Sequence, residues 1–382
     1  MRTPLFRRMK LWAIILPLML LSSLLFAACG DSPTITEPKG IVAAQEAGLF
    51  WFILVVATIV FVAVEGWLIF SIVRYRERPN MPQPRQVHGN NTVEIIWTVA
   101  PSIFLFAVLA GTIYTMFGLQ NISPASGAGR LEVQVVGHQW WWEFDYHNQH
   151  IVTADTLYVP RGSVITADLI SNNVIHSFWI PEITGKTDVI PGHNNHQIFR
   201  ADQAGVYRGI CAEYCGTQHA HMEFNVVVFN TYGEYTAWLM TQQQAAQTPT
   251  DALALNGQKL FSGGGGCTAC HGIVGVNLKS ADSTTTTAGV PTASLKGPNL
   301  THFGSRSLIA GGVLATSDNH TWANDPACRI VNGQVANKDA CGLYQWLHDP
   351  GGVKPGNDMA GVTSGLSDKD ITALIAYLES LQ

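Results

Sequence analysis

Cys211-Ala-Glu-Tyr-Cys215-Gly-Thr-Gln-His219-Ala-His-Met222 places two thiols, an imidazole and a thioether inside twelve residues. Thiolate and thioether are soft donors, and methionine suits copper far better than zinc. A loop with Cys-x3-Cys spacing can turn both sulfurs toward one point, where they could bridge two metal ions. Each ion then needs a terminal imidazole, so a second histidine must come from elsewhere. His176, in Asn173-Val-Ile-His176-Ser-Phe-Trp-Ile-Pro181, is the candidate. A zinc site or a Cys211–Cys215 disulfide would use the same thiols.

The sequence around this loop reads as β-structure. From Arg130 to about Phe229, short runs holding Val133, Val135, Val164, Ile165, Val226 and Val228 are separated by turn signals such as Pro160-Arg161-Gly162 and Pro191-Gly192. Short strands at regular intervals predict an all-β sandwich or barrel over 130–230. One ligand on an earlier strand and the rest on a single late loop resembles a cupredoxin copper site. A polar segment rich in Gln, Thr and Ala follows, read as a linker over 231–250.

Upstream, the chain turns apolar. Arg2, Arg7, Arg8 and Lys10 precede the apolar stretch Leu11 to Phe26, and Ala27-Ala28-Cys29 follows. This reads as an export signal over 1–28 with a lipoprotein-like cleavage site before Cys29; a plain uncleaved anchor is the alternative. Leu49 to Val73 and Ile95 to Leu119 are each near the length a bilayer core requires, predicting a two-helix hairpin within 41–120. Their connector holds Arg74, Arg76, Arg78 and Arg85 against Glu77, which places it in the cytoplasm and everything after Asn121 on the outer face. Only 13% of the 382 residues are charged, as befits a membrane protein. The net charge of −5 is dispersed without a basic tract, which argues against nucleic acid as a partner.

A second chemical motif lies downstream, in a domain expected over 251–382. Cys267-Thr-Ala-Cys270-His271 fits covalent attachment of a c-type haem, with the histidine on the iron. A CxxC redox pair is the alternative. Met359, the sole methionine after this motif, is the candidate sixth ligand; His302, His320 and His348 are its rivals. Thioether ligation raises the haem potential, as suits a donor to copper. Ser367 with Asp370 reads as a helix start, Leu366 could staple onto Ile371, and Ile371, Leu374, Ile375 and Leu378 share a face of the following helix. Cys328 and Cys341 have no metal-type spacing and are expected to pair, worth about 3 kcal/mol in the chain-entropy picture.

Together these motifs resemble cytochrome c oxidase subunit II with a binuclear CuA centre, fused to a C-terminal cytochrome c domain as in caa-type haem–copper oxidases. The resemblance spans the hairpin and the β domain, including Gly137-His-Gln-Trp140-Trp-Trp142-Glu-Phe-Asp-Tyr146. It implies a transmembrane hairpin, a cupredoxin-like sandwich and an all-α class I cytochrome c. It further implies that Cys211 and Cys215 bridge two coppers, that His176 and His219 are terminal ligands, that Met222 is a weak axial ligand and that Glu213 ligates through its carbonyl. In the family the same glutamate's carboxylate holds magnesium against subunit I. Trp140 matches the residue that receives electrons for copper, and Glu94 a proton-uptake glutamate at the mouth of a channel; a helix N-terminal acid is the plainer reading of Glu94. Trp141 and Trp142 read more simply as packing residues. Asn173 stands where the family often has an acid, near its docking surface for soluble cytochrome c.

The implied activity is that of the electron-receiving subunit of a proton-translocating cytochrome c oxidase in a bacterial plasma membrane. Electrons would pass from the fused haem to CuA and on to haem in subunit I, where dioxygen is reduced. The implied partners are subunits I and III, membrane lipid and an upstream donor: a bc-type or alternative complex, or a soluble cytochrome or copper protein. Tethering would raise the local donor concentration to the millimolar range. A CuA-bearing nitric oxide reductase subunit and a stand-alone membrane electron carrier are the alternatives.

Overall fold

The computed structural model describes residues 33–77, 86, 88–119, 122–263, 266–281, 283–316 and 320–382. The signal-like segment with Cys29 lies outside them, as do Arg78 and Arg85 of the connector.

Ten strands build two five-stranded sheets. The first sheet holds β1 (Arg130–His138), β2 (Trp141–Tyr146), β3 (Ile151–Ala154), β5 (Val164–Ser171) and β8 (Asn195–Arg200), in the order β3-β2-β1-β5-β8. The second holds β4 (Thr156–Pro160), β6 (His176–Ile180), β7 (Thr184–Val189), β9 (Gly205–Cys211) and β10 (Glu223–Phe229), in the order β4-β10-β9-β6-β7. Period-2 alternation sends Leu131, Val133 and Val135 of β1 inward, against Phe224, Val226 and Val228 of β10. Trp142, Phe144, Phe178 and Phe224 fill the centre, with the Phe178 and Phe224 rings stacked at 4.8 Å. This is the sandwich that the turn spacing predicts.

Helix α1 (Ile41–Arg74) and helix α2 (Asn91–Leu119) precede the sandwich. Each begins before the apolar span read from sequence. The first turns of α1 are stitched to the sandwich: Lys39 N donates to Glu182 O at 2.6 Å and Ala43 N to Ile183 O at 3.2 Å, while Val42, Ala43 and Ala47 are buried. Beyond that, the two helices show apolar side chains outward, as lipid-facing helices do. They approach closely at Gly111, whose Cβ position would lie 3.3 Å from the Phe52 ring, the small-residue contact expected of membrane helices.

The expected linker is only partly one. Its first half is helix α3 (Tyr232–Gln242), opened by a reciprocal cap between Thr231 and Glu234. Tyr235 is buried, and Trp238 stacks on Tyr158 at 4.4 Å. The apolar contacts of these aromatics outweigh the polar composition from which a linker was read.

The C-terminal region is built on α4 (Ala252–Ser262), α5 (Gly342–His348), α6 (Pro350–Val353) and α7 (Asp368–Ser380). Its helices are compatible with the all-α expectation, although two short two-stranded ladders lie between Leu308 and Val335. Helix α7 opens with the Ser367/Asp370 cap and buries Ile371, Leu374, Ile375 and Leu378. It crosses α4 at Gly257, where a Cβ would meet Ala373 O at 2.0 Å, so glycine is required for the helices to touch. Cys328 and Cys341 are joined as a disulfide.

Candidate metal centre

Strand β9 ends at Cys211 and β10 begins just after Met222. The loop between them is closed at its base by Cys211 N donating to Met222 O at 3.0 Å. Within it Cys211 Sγ and Cys215 Sγ lie 3.8 Å apart, and both cysteines are buried and free of a disulfide. A disulfide would need sulfurs at about 2.05 Å. The separation is also shorter than two metal–sulfur bonds of about 2.3 Å laid end to end. A metal bound by both thiolates therefore lies off the line between them, which leaves room for an ion on each side.

Strand β6 delivers His176 to the same point. Its neighbour Phe178 is in register with Cys211 across the β6–β9 pair, and His176 Nδ1 lies 3.9 Å from Cys211 Sγ. The imidazole is fully buried, and Gly137 of β1 makes space for it: a Cβ there would meet the ring at 2.7 Å. On the other side, His219 Nδ1 is 3.6 Å from Cys215 Sγ and Met222 Sδ is 3.7 Å from the same sulfur. The Glu213 carbonyl lies 3.3 Å from Cys211 Sγ, while its residue is exposed. Two thiols, two imidazoles, a thioether and a carbonyl thus converge, one imidazole beside each sulfur. The hydrogen bond between the two cysteines, aided by His176, holds the Cys211 thiol well below its ordinary range and pushes Cys215 up. Such a pair gives up its first proton readily. This donor set is soft, and a site rich in sulfur and imidazole suits copper.

Asn173, read from sequence as a surface position, has a structural task here. Its Oδ1 lies 3.0 Å from His176 Nε2 and also accepts from Val174 N at 2.7 Å. With the amide oxygen as acceptor, Nε2 carries the ring proton and Nδ1 keeps its lone pair toward the cysteines. Such a partner fixes ligand tautomer and orientation. Its three-residue offset from His176 was the available signal.

Trp140 borders both chemical motifs. Its Nε1 donates to Cys215 O at 3.1 Å, and Gln139 Nε2 donates to the same carbonyl at 2.8 Å. The indole also lines a cavity in company with Cys267, Cys270, His271 and Met359. The structure therefore brings the CxxCH motif and the methionine loop to one hollow. His302 is instead held by the Gln242 and Gln244 carbonyls, at 3.0 and 3.1 Å. His271 is buried, and a hydrogen bond joins its Nδ1 to Pro298 O at 2.9 Å; Nδ1 is then the donor, leaving Nε2 unprotonated and able to bind a metal. Met359 is set by its own loop, its N–H donating to Asn357 Oδ1 at 2.8 Å. The neighbouring tryptophans behave as packing residues: Trp142 is fully buried in the sandwich core, and Trp141 stacks on His138 at 4.1 Å.

Glu94 is remote from these groups, in the first turn of α2. Its Oε1 accepts from Asn90 N at 3.3 Å while Asn90 Oδ1 accepts from Val93 N at 3.2 Å, a reciprocal helix cap.

Comparison with known proteins gives two family matches. "Cytochrome C oxidase subunit II, transmembrane domain" covers residues 41–113, and "Cytochrome C oxidase subunit II, periplasmic domain" covers residues 151–229. Cytochrome c oxidase subunit 2 of Alkalihalophilus pseudofirmus is 33% identical, over 98% of this chain and 99% of the relative. The subunit of the same name from Bacillus subtilis is 32% identical over 98% of each chain. Among solved structures, the periplasmic domain of subunit II of cytochrome oxidase from Bradyrhizobium japonicum is 27% identical, over 32% of this chain and 96% of that one, with a TM-score of 0.29.

Proposed function

The chain belongs to the cytochrome c oxidase subunit II family, a membrane protein with a periplasmic domain that works with subunit I of a haem–copper oxidase, and from that premise we propose that it carries both a binuclear copper centre and a covalently bound haem c. The observation that carries this reading is Trp140, bonded to the Cys215 carbonyl and lining the cavity of Cys267, Cys270, His271 and Met359.

In this reading the copper pair and the haem supply one-electron redox chemistry. Cys211, Cys215, His176, His219, Met222 and the Glu213 carbonyl would hold the copper pair. Asn173 orients His176. Burial of His176, Cys211, Cys215 and Met222 excludes water from that side and holds their geometry as the charge changes. Cys267 and Cys270 would attach the haem through thioethers, and His271 and Met359, which line the same cavity, would hold its iron. Burial lowers the His271 pKa and so keeps its imidazole neutral, as an iron ligand must be. Trp140 and the Cys215 carbonyl provide a short route from cavity to copper.

Dioxygen reduction takes place in subunit I, and this subunit feeds it electrons. The exposed Glu213 side chain, with its carbonyl turned inward, suits a carboxylate–magnesium contact at the subunit I boundary. Glu94, capping α2 at the end of the membrane span, is the proton-uptake residue. Subunit III, an upstream donor that is a membrane complex or a soluble cytochrome or copper protein, and a bacterial plasma membrane complete the proposed setting. A nitric oxide reductase subunit and a stand-alone carrier are not favoured by the relatives' names.

The test is low-temperature electron paramagnetic resonance of the copper-loaded full chain in detergent. Hyperfine structure from one electron shared by two equivalent copper nuclei is expected, and the optical spectrum of the pyridine haemochrome should be that of a haem with both vinyl groups saturated. A mononuclear copper signal overturns the binuclear reading, and a spectrum without haem overturns the second.

A further inference from the structure

Lys354 sits in the loop between α6 and Met359, with only 3% of its surface exposed. Its Nζ donates to three carbonyls: Ala310 O at 2.6 Å, Trp140 O at 2.6 Å and His221 O at 2.9 Å. Ala310 belongs to the C-terminal domain, whereas Trp140 and His221 belong to the copper-binding domain. Asp155, 4% exposed, reaches in the opposite sense. Its Oδ1 accepts from Trp142 N at 3.0 Å in its own domain, and its Oδ2 accepts from Gly311 N at 3.0 Å in the other. A Cβ at Gly311 would lie 2.3 Å from Trp140 O and 2.5 Å from Lys354 Nζ, so the approach requires glycine.

These contacts surround the groups that matter for transfer. The Trp140 ring lies 3.5 Å from where a Cβ of Gly356 would stand, three residues before Met359. Burial pushes the Lys354 ammonium down to about 8, and the Asp155 carboxylate is the first charge opposing that shift. A buried charge is retained only where its partners are held in place; Asp155 also feels the buried Arg306 guanidinium, whereas Lys354 has Asp155 as its foremost counter-charge.

We propose that Lys354 and Asp155 form an interdomain lock. It holds the C-terminal domain docked on the copper-binding domain with Trp140 between them, so that electrons cross within a fixed complex rather than by tethered encounter. Lys354 is a positioning residue: it acts through the carbonyls of Trp140 and His221. The electron-transfer consequence rests on the two-cofactor reading above, whereas the docking does not.

The experiment uses the full chain in detergent. It compares wild type, Lys354→Met, Lys354→Arg and a chain with a flexible insertion of about 12 Gly and Ser residues between Gln247 and Thr248. Two readouts are taken: hydrogen exchange of the Gly311 and Trp142 amides, which Asp155 accepts, and the rate of haem-to-copper transfer after flash reduction. A lock predicts that the insertion alone changes neither. Lys354→Met should speed exchange at Gly311 at least tenfold, leave Trp142, whose bond to Asp155 lies within one domain, near its wild-type rate, and slow transfer at least tenfold, with haem and copper spectra unchanged, and Lys354→Arg should restore part of each. Combining Lys354→Met with the insertion should slow transfer further, because only the tether then holds the domains together. The proposal is overturned if the insertion alone frees Gly311 and slows transfer, or if Lys354→Met leaves both readouts at wild-type values. Should Lys354→Met fail to fold, Lys354→Gln is read in its place, and wild-type Gly311 exchange and transfer in it would overturn the lock. Missing haem or binuclear copper signals would overturn the cofactor reading, and Gly311 exchange would still decide the lock.

Discussion

Asn173 holds the outer nitrogen of His176 through a single amide oxygen, and that small contact governs where the imidazole lone pair points. Asn173→Leu removes the acceptor and leaves the buried ring free to turn. Copper affinity of the full chain, measured by competition with a chelator, should fall about 10- to 100-fold, the usual effect of losing a ligand's outer partner. Glu379 offers a test of a different kind. Burial, with Asp325 adding to it, pushes its carboxyl up to about 8. The folded chain therefore keeps a proton that the unfolded chain releases near pH 4 to 5. Between that pH and 8 the folded state binds more protons, so stability must fall as pH rises. Glu379→Gln should flatten this slope, matching wild type near pH 5 and exceeding it by about 2–4 kcal/mol near pH 8. Denaturant melts of the C-terminal domain at the two pH values check it; parallel slopes for both proteins would refute it.

At the level of elements, the crossing of α4 and α7 depends on Gly257. Gly257→Val would drive side-chain atoms into the Ala373 backbone and should cost at least about 2 kcal/mol, read as a lowered Tm of the C-terminal domain. The α7 cap was legible beforehand because Ser367 and Asp370 stand in a spacing that only a helix start explains, followed by a clean apolar face. Helix α3 carried a cap of the same form at Thr231 and Glu234, yet a polar, glutamine-rich stretch concealed it. It is held by Trp238 lying on Tyr146 and Tyr158, strand residues far away in the chain, and local composition says nothing about such contacts. The candidate metal-binding loop was legible because chemistry restricts it: few other reasons exist to gather two thiols, an imidazole and a thioether in one loop. The part played by Asn173 was not, since an asparagine beside a strand has many uses.

Across the whole molecule, the joint between domains was the least legible feature. Lys354 and Trp140 are 214 positions apart, and a lysine before Pro-Gly reads as an ordinary surface residue. Only the fold reveals that its ammonium ends among three carbonyls. The disulfide, by contrast, followed from elimination among the cysteines. Reducing it, or replacing Cys328 and Cys341 by serine, should destabilise the C-terminal domain by about 3 kcal/mol and leave the melting of the sandwich unchanged. A matched loss in both domains would show that they unfold as one cooperative body.

The indole of Trp140 lies beneath the Gly356 loop, and this has a bearing on ancestry as well as on chemistry. A subunit that meets a foreign carrier must keep a face recognisable to a molecule encoded elsewhere. If the proposed lock holds, the chain's own other half covers that face, and the two surfaces are inherited together. Lys354, Asp155 and Gly311 are therefore free to drift as a set, provided each change is answered within the same gene. Across relatives that retain both halves they should change in concert. In relatives lacking the second half, the same face should have reverted to one that a stranger can read.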